Sequence, residues 1–130
     1  MLTIGELADA TGVATSALRY WEDQGLLAPT RANGHRRYAD DAVTRVGQIL
    51  LLQDAGYTLR EIRSFGAGWR ELAARKLAEL DGQIAKAQAA RSAVAHSLAC
   101  PHEDVRDCPK FVDLVTARLA GELLHVTHPK

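Results

Sequence analysis

The feature that most constrains this chain is an apolar stripe running from Leu77 to Leu98. Leu77, Leu80, Ile84, Ala87, Val94 and Leu98 recur at steps of three and four residues, and Arg91 breaks the seam. Steps averaging about 3.5 residues keep one face of a helix apolar, and roughly three such heptads are present. The stripe has to be buried. One alternative is a long helix packed on its own domain, but no other part of the chain is large enough to cover it. The pattern therefore predicts a coiled-coil dimerisation helix over residues 68–99, pairing two copies of the chain as a homodimer. Leu77, Leu80, Ile84, Val94 and Leu98 are the expected interface positions.

Residues 1–67 are organised differently, with helix start and stop signals close together. Thr3-Ile4-Gly5-Glu6 and Thr58-Leu59-Arg60-Glu61 both have the form of a capping box. In that motif a threonine oxygen receives an N–H of the first turn while the glutamate reaches back. Ile4, Leu7 and Ala8 give a short amphipathic helix closed by Gly12. A second helix is predicted from Thr15 to Gln24, and Gly25 supplies the left-handed residue that ends it. Helix, tight glycine turn and helix form the helix-turn-helix pattern. Pro29 then blocks helix, and Asn33-Gly34 is a tight-turn dipeptide between Arg31 and Arg36-Arg37-Tyr38, which predicts a small hairpin wing. A third helix, capped by Asp40 or Asp41, carries Val43, Val46, Ile49, Leu50 and Leu52 and stops near Gly56. Ile49 to Leu52 are expected to lie in the core. Beyond the long helix, a loop from Cys100 to Pro109 and a short amphipathic helix through Phe111, Leu114, Val115 and Leu119 form a third region, residues 100–130. Apolar residues make up 47% of the chain and aromatic residues only 5%, a balance that suits helices better than sheets. The expected fold is mainly α, with a winged helix-turn-helix domain leading into the dimerisation helix.

Sixteen basic and sixteen acidic residues cancel, so any attraction for nucleic acid has to be local. A helix that enters a major groove needs polar or cationic side chains exposed near its start. Thr15, Ser16 and Arg19 meet that need, with Tyr20 beside them for backbone or base contact. On the wing, Arg36 and Arg37 suit phosphates, and His35 and Tyr38 complete the candidate DNA-binding set. Each arginine taken alone reads as a solvated charge. Clustered on a helix-turn-helix with a wing, they point to double-stranded DNA. An enzyme is not expected, because the chain has no phosphate-binding glycine loop, no metallohydrolase helix motif and no nucleophile with a matching base. The opening stretch carries Glu6 and Asp9 within a helical pattern, unlike a signal peptide, and no apolar run is long enough to span a bilayer. The expected compartment is the cytoplasm, with no membrane partner.

At this point a family resemblance emerges. Ile4-Gly5-Glu6-Leu7-Ala8, Thr11-Gly12-Val13, and Leu18-Arg19-Tyr20-Trp21-Glu22 with Gly25-Leu26-Leu27 resemble the MerR family of bacterial transcription regulators. The wing Asn33-Gly34-His35-Arg36-Arg37-Tyr38 and the run Gly56-Tyr57-Thr58-Leu59 with Glu61-Ile62 extend the likeness to about residues 1–65. Two positions depart from the family pattern. Trp21 stands where a second aromatic, usually tyrosine, is expected, and His35 stands where tyrosine is frequent. Both are expected to alter operator contacts without threatening the fold. The resemblance implies a winged helix-turn-helix followed by a long antiparallel dimerisation helix. It also implies a mechanism in which the dimer sits on a promoter whose two polymerase elements are misplaced. Effector binding makes the dimer bend and untwist that DNA until RNA polymerase can use it. The protein thereby supports a deformation costing on the order of a few kcal/mol, and the effector acts by its differential affinity for two states of the dimer.

The segment Cys100-Pro101-His102-Glu103-Asp104-Val105-Arg106-Asp107-Cys108-Pro109 carries most of the remaining chemistry. Two thiols at the ends of a short, proline-bounded loop can converge on one soft cation as thiolates. In a chain with two cysteines and no export signal, both are expected to be reduced. Placement straight after the long helix resembles the metal-binding loop of the family's copper-efflux branch, where two cysteines at this spacing hold a monovalent ion almost linearly. Divalent-sensing branches add a cysteine from the start of the partner's dimer helix. Here that region reads Gly66-Ala67-Gly68-Trp69, the segment from Gly66 to Leu72 is shorter than in the metal sensors, and there is no third thiol. The resemblance thus implies a soft metal ion on Cys100 and Cys108, with copper(I) first and zinc second, and disfavours a thiolate-rich mercury or lead site. Zinc would recruit His102, or His96 one turn before Cys100. His125 and His128 are further donors in the tail. Three readings stay open: a sensed soft metal, a thiol–disulfide redox switch, or a structural loop with a small organic effector or none. A dimeric metal-buffering protein with a vestigial helix-turn-helix is the competing class.

Overall fold

A computed structural model of the chain describes residues 1–32 and 34–124. These form two compact units, Met1–Lys76 and the segment beginning at Leu77. In the first unit, helix α1 (Ile4–Thr11) opens on the expected capping box. The Glu6 N–H donates to Thr3 Oγ1 at 3.1 Å, and the Thr3 N–H donates to the Glu6 carboxylate at 2.9 Å. Gly12, at φ 73°, adopts the left-handed conformation that ends α1. Helix α2 (Thr15–Asp23) follows after three residues and stops before Gly25, at φ 78°. Strands β1 (Thr30–Ala32) and β2 (His35–Arg37) pair antiparallel, with Thr30 opposite Arg37, Arg31 opposite Arg36 and Ala32 opposite His35. Gly34 has φ 77°, as the tight turn requires, while Asn33 lies outside the described residues. The wing is tied back to the chain start by paired backbone bonds between Leu2 and Tyr38, both 2.7 Å.

Helix α3 (Ala42–Asp54) begins after Asp41, whose side chain makes no capping bond. Helix α4 (Leu59–Arg63) opens on the second capping box, Thr58 with Glu61. The core of this unit is Leu7, Leu18, Trp21, Leu26, Leu27, Tyr38, Ala42, Val46, Ile49 and Ile62. Leu51 does not join it. It is 69% exposed, because the inward face of α3 takes Val46 and Ile49 and leaves position 51 on the far side.

Helix α5 (Trp69–Ala99) runs for 31 residues, roughly 46 Å at the usual rise per residue. Its first turns belong to the first compact unit, so the division between the two units falls inside the helix. Leu72 and Lys76 explain this, since both are buried. The Lys76 ammonium donates to the Gly56 carbonyl at 3.0 Å, meets the Glu61 carboxylate at 3.2 Å and lies over the Tyr57 ring. In the second unit the rest of α5 is followed by a 3-10 turn (Val105–Asp107) and helix α6 (Pro109–Leu119). Proline fits the first position of α6, where no intrahelical N–H is required. Among the described residues, no helix is long and apolar enough to cross a membrane.

Candidate DNA interface and metal centre

Helix α2 has two unlike faces. Leu18 and Trp21 point into the core, while Ser16, Arg19 and Tyr20 are exposed. Positions 16, 19 and 20 are three and four apart, so they share one surface. Thr15, at the start of the helix, is half-buried. Trp21 is 5% exposed, so its departure from the family pattern is a packing difference in the core and not an altered operator contact.

On the wing, His35 and Arg36 are exposed and Arg37 is half-buried, with Arg37 donating to the Arg36 carbonyl at 2.9 Å. Tyr38 corrects the expected interface. Its side chain is completely buried and its hydroxyl donates to Glu22 Oε2 at 2.7 Å, so it offers no surface to DNA. Burial, reinforced by the hydrogen bond to Glu22, pushes the Tyr38 phenol up to about 12. The other oxygen of Glu22 meets Arg36 at 3.3 Å. Glu22 was not among the candidate residues, yet this one carboxylate joins the recognition helix to the wing and fixes their relative placement. Nothing in local sequence marks it, because both partners lie more than a dozen residues away.

Further along, the heptad seam is open in the single chain. Leu77, Ile84, Val94 and Leu98 are 62%, 55%, 62% and 87% exposed, and Leu80 is half-buried. Helices rarely leave so much aligned apolar surface in water.

At the end of α5 the loop closes on itself. Asp104 caps the 3-10 turn by accepting the Arg106 N–H at 2.9 Å, and its carboxylate takes three further bonds from the Arg106 guanidinium, the shortest 2.6 Å. This brace turns the chain so that Cys100, at the end of α5, and Cys108, at the start of α6, converge. The ligand atoms of His96, Cys100 and Cys108 all lie within 4.8 Å of one another. His96 Nε2 is 3.5 Å from Cys108 Sγ. Cys108 is buried, while Cys100 and His96 are half-buried, and both cysteines are free thiols. His102 is exposed and is not one of the three converging residues, because the loop turns it away to solvent. His125 and His128 lie outside the described residues.

The two thiols are unequal. The His96 hydrogen bond, helped by the Phe111 and Lys110 N–H groups at the start of α6, lowers Cys108 to about 6. The His102 N–H pulls Cys100 down, but burial and the neighbouring Cys108 sulfur outweigh it and hold the Cys100 thiol above its ordinary value. Two soft sulfurs and a borderline nitrogen converging in a braced loop fit a thiophilic cation.

Comparison with known proteins agrees with this architecture. The family described as "MerR HTH family regulatory protein" matches residues 2–65. The HTH-type transcriptional regulator HmrR of Rhizobium leguminosarum bv. viciae is 30% identical over 125 residues, covering 87% of this chain and 97% of HmrR. The nodulation protein NolA of Bradyrhizobium elkanii is 40% identical over 89 residues, covering 65% of this chain, which spans only 41% of NolA. In fold, the chain is similar to the transcription regulator PbrR691 from Ralstonia metallidurans CH34, solved in complex with lead(II). The TM-score is 0.68 at 24% identity, covering 88% of this chain and 99% of that one. Matched over residues 2–65 by that family and at 30% identity along nearly the whole of HmrR, the chain belongs to the MerR family of helix-turn-helix regulators.

Proposed function

We propose that the chain is a homodimeric, sequence-specific regulator of transcription that binds promoter DNA and responds to a soft metal ion held by Cys100 and Cys108. The observation that carries the metal reading is the convergence of the two sulfurs in a loop braced by Asp104 and Arg106. Ser16, Arg19 and Tyr20 present the surface that enters the major groove, and Arg36 and Arg37 approach the flanking phosphates. Glu22 keeps the wing at a fixed angle to α2, so base and phosphate contacts are made together. The exposed seam of α5 pairs with that of a second copy, which duplicates the reading head across a two-fold site.

Cys100 and Cys108 would hold a soft cation, which would supply a cross-link across the loop. The loop then holds α6 at a set position relative to the end of α5. This biases the dimer between two arrangements on DNA, one of which supports the bent and untwisted promoter that RNA polymerase can use. Copper(I) is the first ion to test, on the resemblance of the loop, and zinc the second.

A gel shift with the protein's own promoter region, combined with metal and thiol analysis of anaerobically purified protein, tests the reading. A specific complex and metal lost on replacing either cysteine are expected. A protein that binds metal but forms no specific DNA complex is a buffer and ends the proposal.

A further inference from the structure

We infer that His96 is a third metal ligand alongside Cys100 and Cys108, making a tetrahedral site suited to a zinc-class divalent cation, with the fourth position left to water. This rests on the two-thiol metal reading above and, on the geometry of His96, puts a zinc-class ion ahead of copper(I).

Three observations carry the inference. The first is delivery. His96 lies in the last turn of α5 and Cys100 directly follows the last residue of that helix, Ala99, so the end of one helix delivers both. The second is distance. A tetrahedral ion with usual zinc–sulfur and zinc–nitrogen bonds holds its sulfur and nitrogen about 3.6 Å apart. His96 Nε2 and Cys108 Sγ are 3.5 Å apart. A cation placed between them needs little rearrangement of the imidazole, and all three donor atoms fall within 4.8 Å. The third is charge and softness. Two thiolates neutralise a divalent ion, and a neutral imidazole adds a borderline donor that suits zinc. A monovalent ion held between two sulfurs alone would leave His96 as a bystander beside the pair. The chain holds only two cysteines, so the nitrogen takes the place that a third thiolate fills elsewhere.

Competition titrations on the reduced, full-length protein separate the possibilities. The probes are zinc against a chromogenic chelator, cobalt(II) read by its electronic spectrum, and silver(I) as a soft monovalent ion. His96→Ala is expected to weaken zinc binding by at least ~100-fold, since loss of an outer-shell partner alone costs about 10–100-fold. The same variant should change the cobalt(II) ligand-field bands and weaken silver(I) far less than zinc, since for silver only the ease of deprotonating Cys108 changes. His96→Gln, which keeps size and polarity, is expected to behave like the alanine variant, and circular dichroism of both checks the fold. If His96→Ala and His96→Gln keep wild-type zinc affinity and cobalt spectrum while Cys100→Ser and Cys108→Ser lose them, His96 is not a ligand and only this inference is overturned. If the two serine variants bind all three probes like wild type, the thiol-pair reading fails as well.

Discussion

His96 Nε2 and Cys108 Sγ lie 3.5 Å apart, although His96 sits in α5 and Cys108, twelve positions later, caps the start of α6. The contact stabilises the thiolate, as do the N–H groups at the start of α6, and Cys108 is lowered from 9.0 to about 6. A low-pKa acid is charged in the folded state over a range where the unfolded chain is still protonated. Its contribution to stability is therefore fully present above pH 9 and is lost as pH falls through 6.

Metal-free protein is expected to react with iodoacetamide at Cys108 with a midpoint near pH 6, with Cys100 reacting above the ordinary thiol value. His96→Ala should move the Cys108 midpoint upward. Mass spectrometry of singly alkylated peptides across pH 5–10 reads both thiols, and a midpoint near the ordinary thiol value would contradict the contact.

Tyr38 and Glu22 give a stability prediction. Tyr38→Phe removes a buried hydrogen bond to a carboxylate that also holds Arg36, and hydrogen bonds to charged groups are worth about 1.5–3 kcal/mol. Denaturant unfolding should show a loss of that size, and DNA affinity should fall as the wing loses its anchor. A variant as stable as wild type would show that the bond contributes nothing to the fold.

These two contacts mark where the sequence stops being legible. Both capping boxes, the glycine turns after α1 and α2, and the seam of α5 can be read directly, because each is a local pattern with a local physical cause. Tyr38 could not be placed that way. After two arginines on a hairpin it reads as a groove contact, and only the long-range pairing with Leu2 turns it into the core. Trp21 misleads for the same reason, since a position on α2 faces DNA or core according to what packs behind it. Lys76 sits in a helix rich in charge, and nothing nearby in sequence reveals that the Gly56 carbonyl and Glu61 receive it. At the cysteine loop, the four-residue spacing of His96 and Cys100 is visible in sequence. Which histidine lies beside the two thiols, His96 and not His102, depends on how the Asp104–Arg106 brace turns the loop.

Ile84 is 55% exposed in the single chain and lies in the proposed dimer seam. Ile84→Asp places an unpaired charge in the proposed seam, at a cost of several kcal/mol. Sedimentation should show wild-type dimers at micromolar concentration and monomers of the variant. Monomeric wild-type protein under those conditions would rule out the paired seam.

Recognition and wing residues are expected to fail differently. Arg19→Ala should cost roughly 1–3 kcal/mol on the specific site and little on random DNA, as for loss of a bidentate base contact. Arg36→Ala should weaken binding to every sequence and flatten its salt dependence. Fluorescence anisotropy at several salt concentrations reads both, and unchanged operator affinity in the two variants would remove the assignment.

The central claim is that metal binding at Cys100 and Cys108 is what the DNA-binding dimer reports. Its most direct test is transcription from the protein's own promoter with wild-type and doubly substituted Cys100→Ser, Cys108→Ser protein, challenged separately with copper, zinc and an oxidant. The account predicts a metal response in wild type only, no requirement for oxidant, and metal-free DNA affinity retained by the variant. A double variant that answers every inducer as wild type does would contradict it.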